Sequence, residues 1–334
     1  MRTLVTGATG FVGSHLVEAL SSPATSDATG SPPLDLRVLV RPTSDLRHLS
    51  ERSIGRFTGD LSDPAALTEA TAGAEVILHL AALTRAKSEG VFMAANAAGT
   101  RRLLRAAVDS GTCKRFVYVS SLAAAGPARD GRPVGIHDPP QPLTAYGRSK
   151  LAGEDACRDF DKDLQVVILR PPAVYGPRDR DLFTFFKLAG WGVLPVPTGP
   201  ERSLQMIHVS DLARAIEAAA FSERARGIYH VAEPEAYSWQ RILDLMADAV
   251  GKGGRRIPLP RTLLKVAGAL NGAVGRVTGR PQIFDGDKVR ELLAPGWLCE
   301  TSAAREDLGF SADIPLEEGF RNTARWYREN GWLR

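Results

Sequence analysis

Apolar and polar residues switch between two periods along the first half of the chain. "TLVTG" (3–7) is a β-branched run ending at a glycine, and "FVGSHLVEALSS" after it spaces its apolar residues along one helical face. A second strand is expected at "DLRVLVR" (35–41) and a weaker third at "GRFTGD" (55–60), followed by a helix in "PAALTEATAG". "AEVILHLAA" (74–82) is apolar nearly throughout, the pattern of a strand covered on both faces. A helix over 94–111, a fifth strand at "RFVYVSS" (115–121), a helix beginning near Thr144 and a sixth strand at "LQVVILR" (164–170) complete the series. Strands alternating with helices predict an α/β fold, a parallel sheet with helices on both faces. "SPATSDATGSPPLD" (22–35) reads as a flexible loop. Beyond about residue 175 prolines and tryptophans break the pattern into shorter helices. The expected organisation is a sheet domain over 1–175, with excursions back to the sheet at about 200–232, and a smaller C-terminal lobe formed mainly by 176–334.

Composition narrows the function classes. With 334 residues, 44% hydrophobic and 24% charged, the chain can bury a sizeable core. A net charge of +4 is too small and scattered to suggest nucleic acid. Cys113, Cys157 and Cys299 lie too far apart for a metal knuckle or a Cys-x-x-Cys pair, so reduced thiols in a cytoplasmic protein are expected. With strand-like "RTLVTG" directly after the first residue, no signal peptide is expected. No apolar run approaches the ~20 residues that cross a bilayer. The nearest, "LLKVAGALNGAVG" (263–275), is short and carries Lys265, so no membrane partner is expected. His79 and His208 have no second ligand at helical or hairpin spacing, so no metal site is expected.

"TGATGFVG" places Gly7, Gly10 and Gly13 three apart at the first strand–helix junction. Glycines let the backbone turn tightly and approach a pyrophosphate, and the helix N-terminus supplies N–H groups and positive dipole. The loop as a whole, including Thr9, Phe11 and Val12, is the candidate dinucleotide cradle. At the end of the second strand an acidic residue would bond the ribose 2′-OH of NAD. Arg41 stands there instead, with Thr43 and Ser44 behind it. A guanidinium pairs with a 2′-phosphate, which favours NADP over NAD. Asp60, followed by Leu61, either accepts a hydrogen bond from the adenine amino group or caps a turn.

Together with this loop, "LHLAA" (78–82), "YVSS" (118–121), "YGRSK" (146–150) and "LRPPAVYGPRD" (169–179) make the chain resemble the extended short-chain dehydrogenase/reductase family. That family includes nucleotide-sugar epimerases and dehydratases, dihydroflavonol reductases and 3β-hydroxysteroid dehydrogenases. The resemblance runs nearly to the end, through "LGF" (308–310), "EEGF" (317–320) and "WYRENGWL" (326–333). It implies a Rossmann-like domain with a small substrate lobe, and a homodimer built on two helices per subunit, here 94–109 and the helix of Tyr146. It implies Tyr146 as the acid/base, Lys150 as its cationic neighbour and holder of the nicotinamide ribose, and Ser121 as the hydroxyl facing the reacting oxygen. Residues four apart share a helical face, so Lys150 is expected to lie near Tyr146, and its ammonium together with the oxidised nicotinamide ring to lower the phenol's pKa. Leu80, Ala81 and Ala82 would let the cofactor lie over the fourth strand. Asn96 would brace that strand, and Pro171, Ala173 and Val174 would contact the nicotinamide end.

Departures from the family patterns sort the reactions. Ser121 is followed by Leu122 and Ala123, not by the Asp-Glu pair of the 4,6-dehydratases, so water loss has no evident acid/base pair. The position four before the histidine of "IHVSD", an arginine in sugar-nucleotide epimerases, is Leu204, with Arg202 two residues earlier. "APGWLCE" replaces their Arg-x-Gly-Asp-like stretch, so two cationic partners for a diphosphate are missing. Arg178 in "VYGPRD" still resembles the sugar-nucleotide enzymes, whereas "SSLAAAGP" resembles the hydroxysteroid dehydrogenase and reductase side. Phe183, Phe185, Phe186, Trp191 and Val193 give the substrate lobe an apolar character, most of it core. The expectation is an NAD(P)-dependent oxidoreductase acting on a secondary alcohol or ketone. The alternatives are a nucleotide-sugar epimerase and a catalytically silent NADP-binding sensor or scaffold.

Overall fold

The computed structural model describes residues 1–21, 34–49, 54–278 and 284–333. Most of the loop expected at 22–35 (residues 22–33) lies outside them. The six expected strands all form: β1 (Arg2–Thr6), β2 (Asp35–Val40), β3 (Gly55–Thr58), β4 (Val76–His79), β5 (Arg115–Val119) and β6 (Gln165–Arg170). A seventh, Gly227–His230, adds beside β6, and the order across the sheet is β3-β2-β1-β4-β5-β6 and then this strand, every pair parallel. The order reverses between β1 and β4, which makes the carboxyl ends of those two strands the place where such sheets bind ligands.

Alternation along each strand fills two cores. Val5, Val38, Leu78, Val117 and Val167 face one layer, formed by α1 (Phe11–Leu20) and the helix Val209–Phe221. Their neighbours Leu4, Leu39, Ile77, Phe116 and Val166 face the other. That second layer comprises α2 (Pro64–Thr71), α3 (Gly99–Asp109) and the later helix Ala145–Asp159. Asp63 caps α2 by accepting from the Ala65 and Ala66 N–H groups, and Pro64 follows at the first turn. The helix expected over 94–111 starts earlier, at Glu89, and passes through a π-helical stretch (Met93–Ala98) before α3. Such wide turns re-aim a side chain, here Asn96.

A third core belongs to the C-terminal lobe. Tyr175, Phe186, Phe320 and Tyr327 are fully buried there and meet edge to face at 5.0–5.4 Å. Of the aromatics expected in this lobe, Phe186 is core, Phe183 and Phe185 pack on its margin, and Trp191 is 68% exposed. Among the described residues no helix is long and apolar enough to cross a membrane.

Candidate active site

The chain leaves β1 at Thr6 and turns at Gly7 with φ +77°. A Cβ on Gly7 would stand 2.6 Å from the Ala81 nitrogen, and one on Gly13 would stand 2.1 Å from the Gly7 carbonyl oxygen. Only glycines let this loop pass so close under the end of β4. Gly10 begins α1 without a side-chain cap, so the first N–H groups of the helix keep no intrahelical acceptor. Gly10 is exposed, and Thr9, Phe11 and Val12 around it are half-buried. This uncapped, glycine-walled helix start fits a dinucleotide pyrophosphate.

Buried hydrogen bonds tie the loop to the neighbouring elements. The Thr6 hydroxyl meets His79 Nδ1 at 2.7 Å, and His79 Nε2 meets the Thr100 hydroxyl at 2.9 Å. Both ring nitrogens are thus taken, and burial holds His79 down to about 3, neutral at physiological pH. After His79 the chain leaves the sheet, so β4 is shorter than the run 74–82, and Leu80 N–H donates to the Thr6 carbonyl at 3.1 Å. Leu80 and Ala81 are half-buried and Ala82 is exposed. The Asn96 amide accepts from Leu83 N–H (2.8 Å) and donates to the Leu83 carbonyl and the Ser149 hydroxyl (both 2.9 Å). The Ser149 hydroxyl donates in turn to the Tyr146 carbonyl at 2.7 Å. Asn96 therefore clamps the segment after β4 to the helix of Tyr146.

Arg41 is exposed just beyond β2, in a turn where its N–H donates to the Ser44 hydroxyl at 3.1 Å. Its guanidinium forms no ion pair among the described residues. Asp60 is exposed beyond β3 and accepts from the Ser62 hydroxyl (2.5 Å) and N–H (2.7 Å), which hold its carboxyl below the usual range. One Asp60 oxygen is therefore a turn cap, and Leu61 next to it packs against Gly99 of α3.

Ser121, Tyr146 and Lys150 come together where β5 ends. Ser121 caps the short helix α4 (Leu122–Ala125), accepting from Ala123 N–H at 3.1 Å. Thr144 caps α5 (Ala145–Asp159) by accepting from Gly147 N–H at 3.1 Å, which sets Tyr146 in the first turn. A Cβ on Gly147 would stand 2.3 Å from the Ala123 carbonyl oxygen, so glycine lets the two helices close and brings the phenol to the Ser121 hydroxyl. One turn on, Lys150 is fully buried. Its Nζ donates to the Val119 carbonyl at 2.8 Å and sits 4.1 Å from the Tyr118 ring centre.

The protein's own groups, without the nicotinamide ring, do not lower the tyrosine. Burial pushes the Tyr146 phenol up to about 12, opposed by its hydrogen bond with Ser121. Burial likewise pulls Lys150 down to about 7, opposed by the Glu154 carboxylate. The lysine is turned toward Val119 and the Tyr118 ring, so the protein's own groups leave the phenol protonated and able to donate. A lysine at about 7 folded and 10.5 unfolded releases its proton earlier when folded. The unfolded chain then binds more protons in that window, so stability is expected to rise with pH from about 7. Denaturant titrations of wild type and Lys150→Met between pH 7 and 9 check this: the rise should flatten in the variant.

Two residues of this centre were not singled out from the sequence. Glu154 follows Lys150 by four positions, so Tyr146, Lys150 and Glu154 line one face of α5, a spacing that could have revealed it. Arg170, the last residue of β6, donates to Glu154 from Nε (2.9 Å) and Nη2 (2.6 Å). Both side chains are buried, and the Ser120 hydroxyl adds a third bond to the carboxylate at 2.6 Å. Ser120 thus serves the support beneath Lys150, while Ser121 faces the phenol.

The remaining candidates frame the other side. The Pro171 carbonyl accepts from Leu122 N–H at 2.8 Å, fixing the end of β6 to α4. Ala173 and Val174 lie in the short strand Ala173–Tyr175, exposed and half-buried respectively. Arg178, with φ +73°, donates to Glu18 (2.8 Å) and to the Ser14 hydroxyl (3.3 Å), so it braces α1. Arg202 is buried, its Nη1 and Nη2 donating to the Pro197 and Thr198 carbonyls at 3.3 Å each. His208 caps the helix after it by accepting from Ser210 N–H, and among the described residues no cluster of metal-ligating side chains occurs.

Fold and site together define a Rossmann-type dinucleotide-binding protein with a Ser-Tyr-Lys centre. The profile of the NAD dependent epimerase/dehydratase family matches residues 3–232, and the chain belongs to that family, as an enzyme of the extended short-chain dehydrogenase/reductase type. It is 36% identical over 332 residues to the ceramide reductase of Caulobacter vibrioides, covering 98% of this chain and 95% of that one. Among solved structures it resembles the dTDP-glucose 4,6-dehydratase of Streptomyces venezuelae with NAD bound (25% identity, TM-score 0.79, covering 100% and 99% of the two chains). It also resembles the UDP-glucose 4-epimerase of Thermus thermophilus in complex with NAD (25% identity, TM-score 0.76, covering 98% and 99%).

Proposed function

We propose that the protein is an NADPH-dependent reductase that delivers hydride to a ketone, on a substrate of apolar character, and can run in reverse on the secondary alcohol. The observation that carries this reading is the grouping of Ser121, Tyr146 and Lys150 at the end of β5, on the same sheet as the uncapped helix start. The dinucleotide supplies the hydride when bound. Gly7, Gly10 and Gly13 shape the seat of its pyrophosphate, and Ala81 and Ala82 leave room over β4. Lys150, one turn from Tyr146, would hold the ribose hydroxyls. The Ser121 hydroxyl orients the substrate oxygen, and the phenol of Tyr146, held protonated by burial, gives that oxygen its proton. The relative named for ceramide reduction supports a reductase with an apolar substrate.

The nucleotide-sugar epimerase reading rests on the likeness to the Thermus thermophilus enzyme, and the committed arginines weigh against it. Arg178 is paired with Glu18 and the Ser14 hydroxyl, and Nη1 and Nη2 of Arg202 are turned to the Pro197 and Thr198 carbonyls. Leu204 lies in a two-residue strand paired with Tyr237–Ser238 and offers no charge. Assaying a panel of apolar ketones with NADPH, beside UDP-glucose and UDP-galactose with NAD, separates the two: net NADPH oxidation is expected only with a ketone.

Cofactor choice follows from Arg41. NADPH is expected to bind more tightly than NADH, and Arg41→Asp is expected to reverse the order, because a carboxylate repels the 2′-phosphate. Fluorescence titration of both nucleotides checks it, and equal wild-type affinities would contradict it. For assembly, a concavity of about 500 Å³ lies on the outer face of the two helices expected to dimerise, lined by Met93, Ala94, Ala97, Ala98, Arg101 and Ala152 among others. Small side chains there allow two helix pairs to approach closely. A homodimer is expected in sedimentation velocity, and a monomer at micromolar concentration would count against it.

A further inference from the structure

Among the described residues six large apolar side chains are exposed, and four of them lie on α6 (Arg261–Thr278): Leu263, Val266, Leu270 and Val274, 50–63% exposed. Their spacing of three, four and four residues puts them on one stripe of the helix. The opposite side is used for packing. Leu264 and Gly268 are buried, and a Cβ on Gly268 would stand 2.6 Å from Val289 of the next helix, α7 (Gly286–Leu293). The stripe is therefore an outward apolar surface that nothing in the chain's described residues covers.

Charge gives the occupant. From Gly251 to Phe284 the sequence holds Lys252, Arg255, Arg256, Arg261, Lys265, Arg276 and Arg280 and no acidic residue. Those seven positive charges exceed the +4 of the whole chain, so the rest of the protein is net negative. Lys252, Arg255, Arg261 and Lys265 are exposed and form no ion pair among the described residues. The charged residues of α6 itself, Arg261, Lys265 and Arg276, are all basic, and an apolar stripe on such a helix fits the boundary of an anionic lipid surface. It contrasts with a coiled-coil or dimer seam, where both signs of charge flank the stripe.

We propose that α6 is a membrane-surface anchor that lays Leu263, Val266, Leu270 and Val274 into the headgroup boundary of an anionic bilayer. This reverses the expectation of no membrane partner: the segment is too short and interrupted to span a bilayer but suited to lie on one. The site is close behind it. Helix α7, on which α6 packs, accepts from Ala145 N–H through Asp287 (2.8 Å) and from the Thr144 hydroxyl through Glu291 (3.3 Å). A helix resting on the membrane is thus connected through α7 to the first turn of the helix carrying Tyr146. The proposal does not depend on the reaction, since vesicle binding is read without substrate or nucleotide.

The test is co-sedimentation of the full chain with vesicles of phosphatidylcholine alone and of phosphatidylcholine mixed with phosphatidylglycerol. Wild type is expected to pellet with the mixed vesicles at low salt and to be released as salt rises. Val266→Glu combined with Leu270→Glu should weaken that binding at least ~10-fold, and Lys252→Glu with Lys265→Glu should weaken it on anionic vesicles. Thermal unfolding followed by circular dichroism is expected to be unchanged, because all four positions are exposed. Wild type remaining in the supernatant with both vesicle types, or binding equally after the Val266/Leu270 change, overturns the proposal. A wild-type dimer that becomes monomeric in that variant, without vesicle binding, assigns the stripe to a second copy of the chain and also overturns it.

Discussion

Tyr146→Phe is expected to lower turnover of any accepted ketone by ~10²-fold or more, the scale of a positioned acid/base group. Only the phenolic oxygen is removed. The ring keeps its edge contact with Phe92, 6.0 Å between centres, and the Thr144 cap and Gly147 approach that set the helix are untouched. Nucleotide affinity should be near that of wild type, because the glycine loop and Arg41 do not involve the phenol. The loss belongs in turnover rather than in binding, so steady-state kinetics with a parallel nucleotide titration checks it. A folded variant with near-normal turnover would remove Tyr146 from the mechanism.

The second large effect concerns stability. Glu154→Ala is expected to cost about 3–5 kcal/mol in urea unfolding, because it leaves the buried Arg170 guanidinium without its carboxylate. The Ser120 hydroxyl loses its acceptor at the same time. Replacing both partners, Glu154→Met with Arg170→Met, should recover much of that loss, since two apolar groups leave no orphaned charge. A Glu154→Ala protein as stable as wild type would mean that the pair is not buried in solution. The carboxylate also supports the charged form of Lys150, so nucleotide binding by the double variant should require lower pH than that of wild type.

Much of this architecture was legible in the sequence, because strands covered on both faces read as near-continuous apolar runs. "VILH" and "QVVILR" are of that kind, and each divides its side chains between two cores. The glycine loop was legible because its constraint is local: the chain must turn at Gly7 and pass under Ala81. The seventh strand, "GIYH", was less so, since four residues carry little periodicity. The Glu154–Arg170 pair was hidden because the partners lie on different elements, and only the fold brings them together. The exposed stripe was visible in the sequence as an apolar run, but its outward orientation depends on how α6 packs on α7. The direction of the Lys150 ammonium was not legible, because helical spacing places the side chain on the right face without showing that it turns to the Val119 carbonyl.

The central claim is net hydride delivery from NADPH to a ketone, and transfer of deuterium tests it most directly. The enzyme would be incubated with an accepted ketone and NADPH deuterated at its transferable hydrogen, and the product analysed by mass spectrometry. The account predicts one deuterium at the new carbinol carbon for each NADPH oxidised. It further predicts that Tyr146→Phe slows both together. Deuterium absent from the product, or conversion of UDP-glucose to UDP-galactose with no net change in nucleotide, would contradict it.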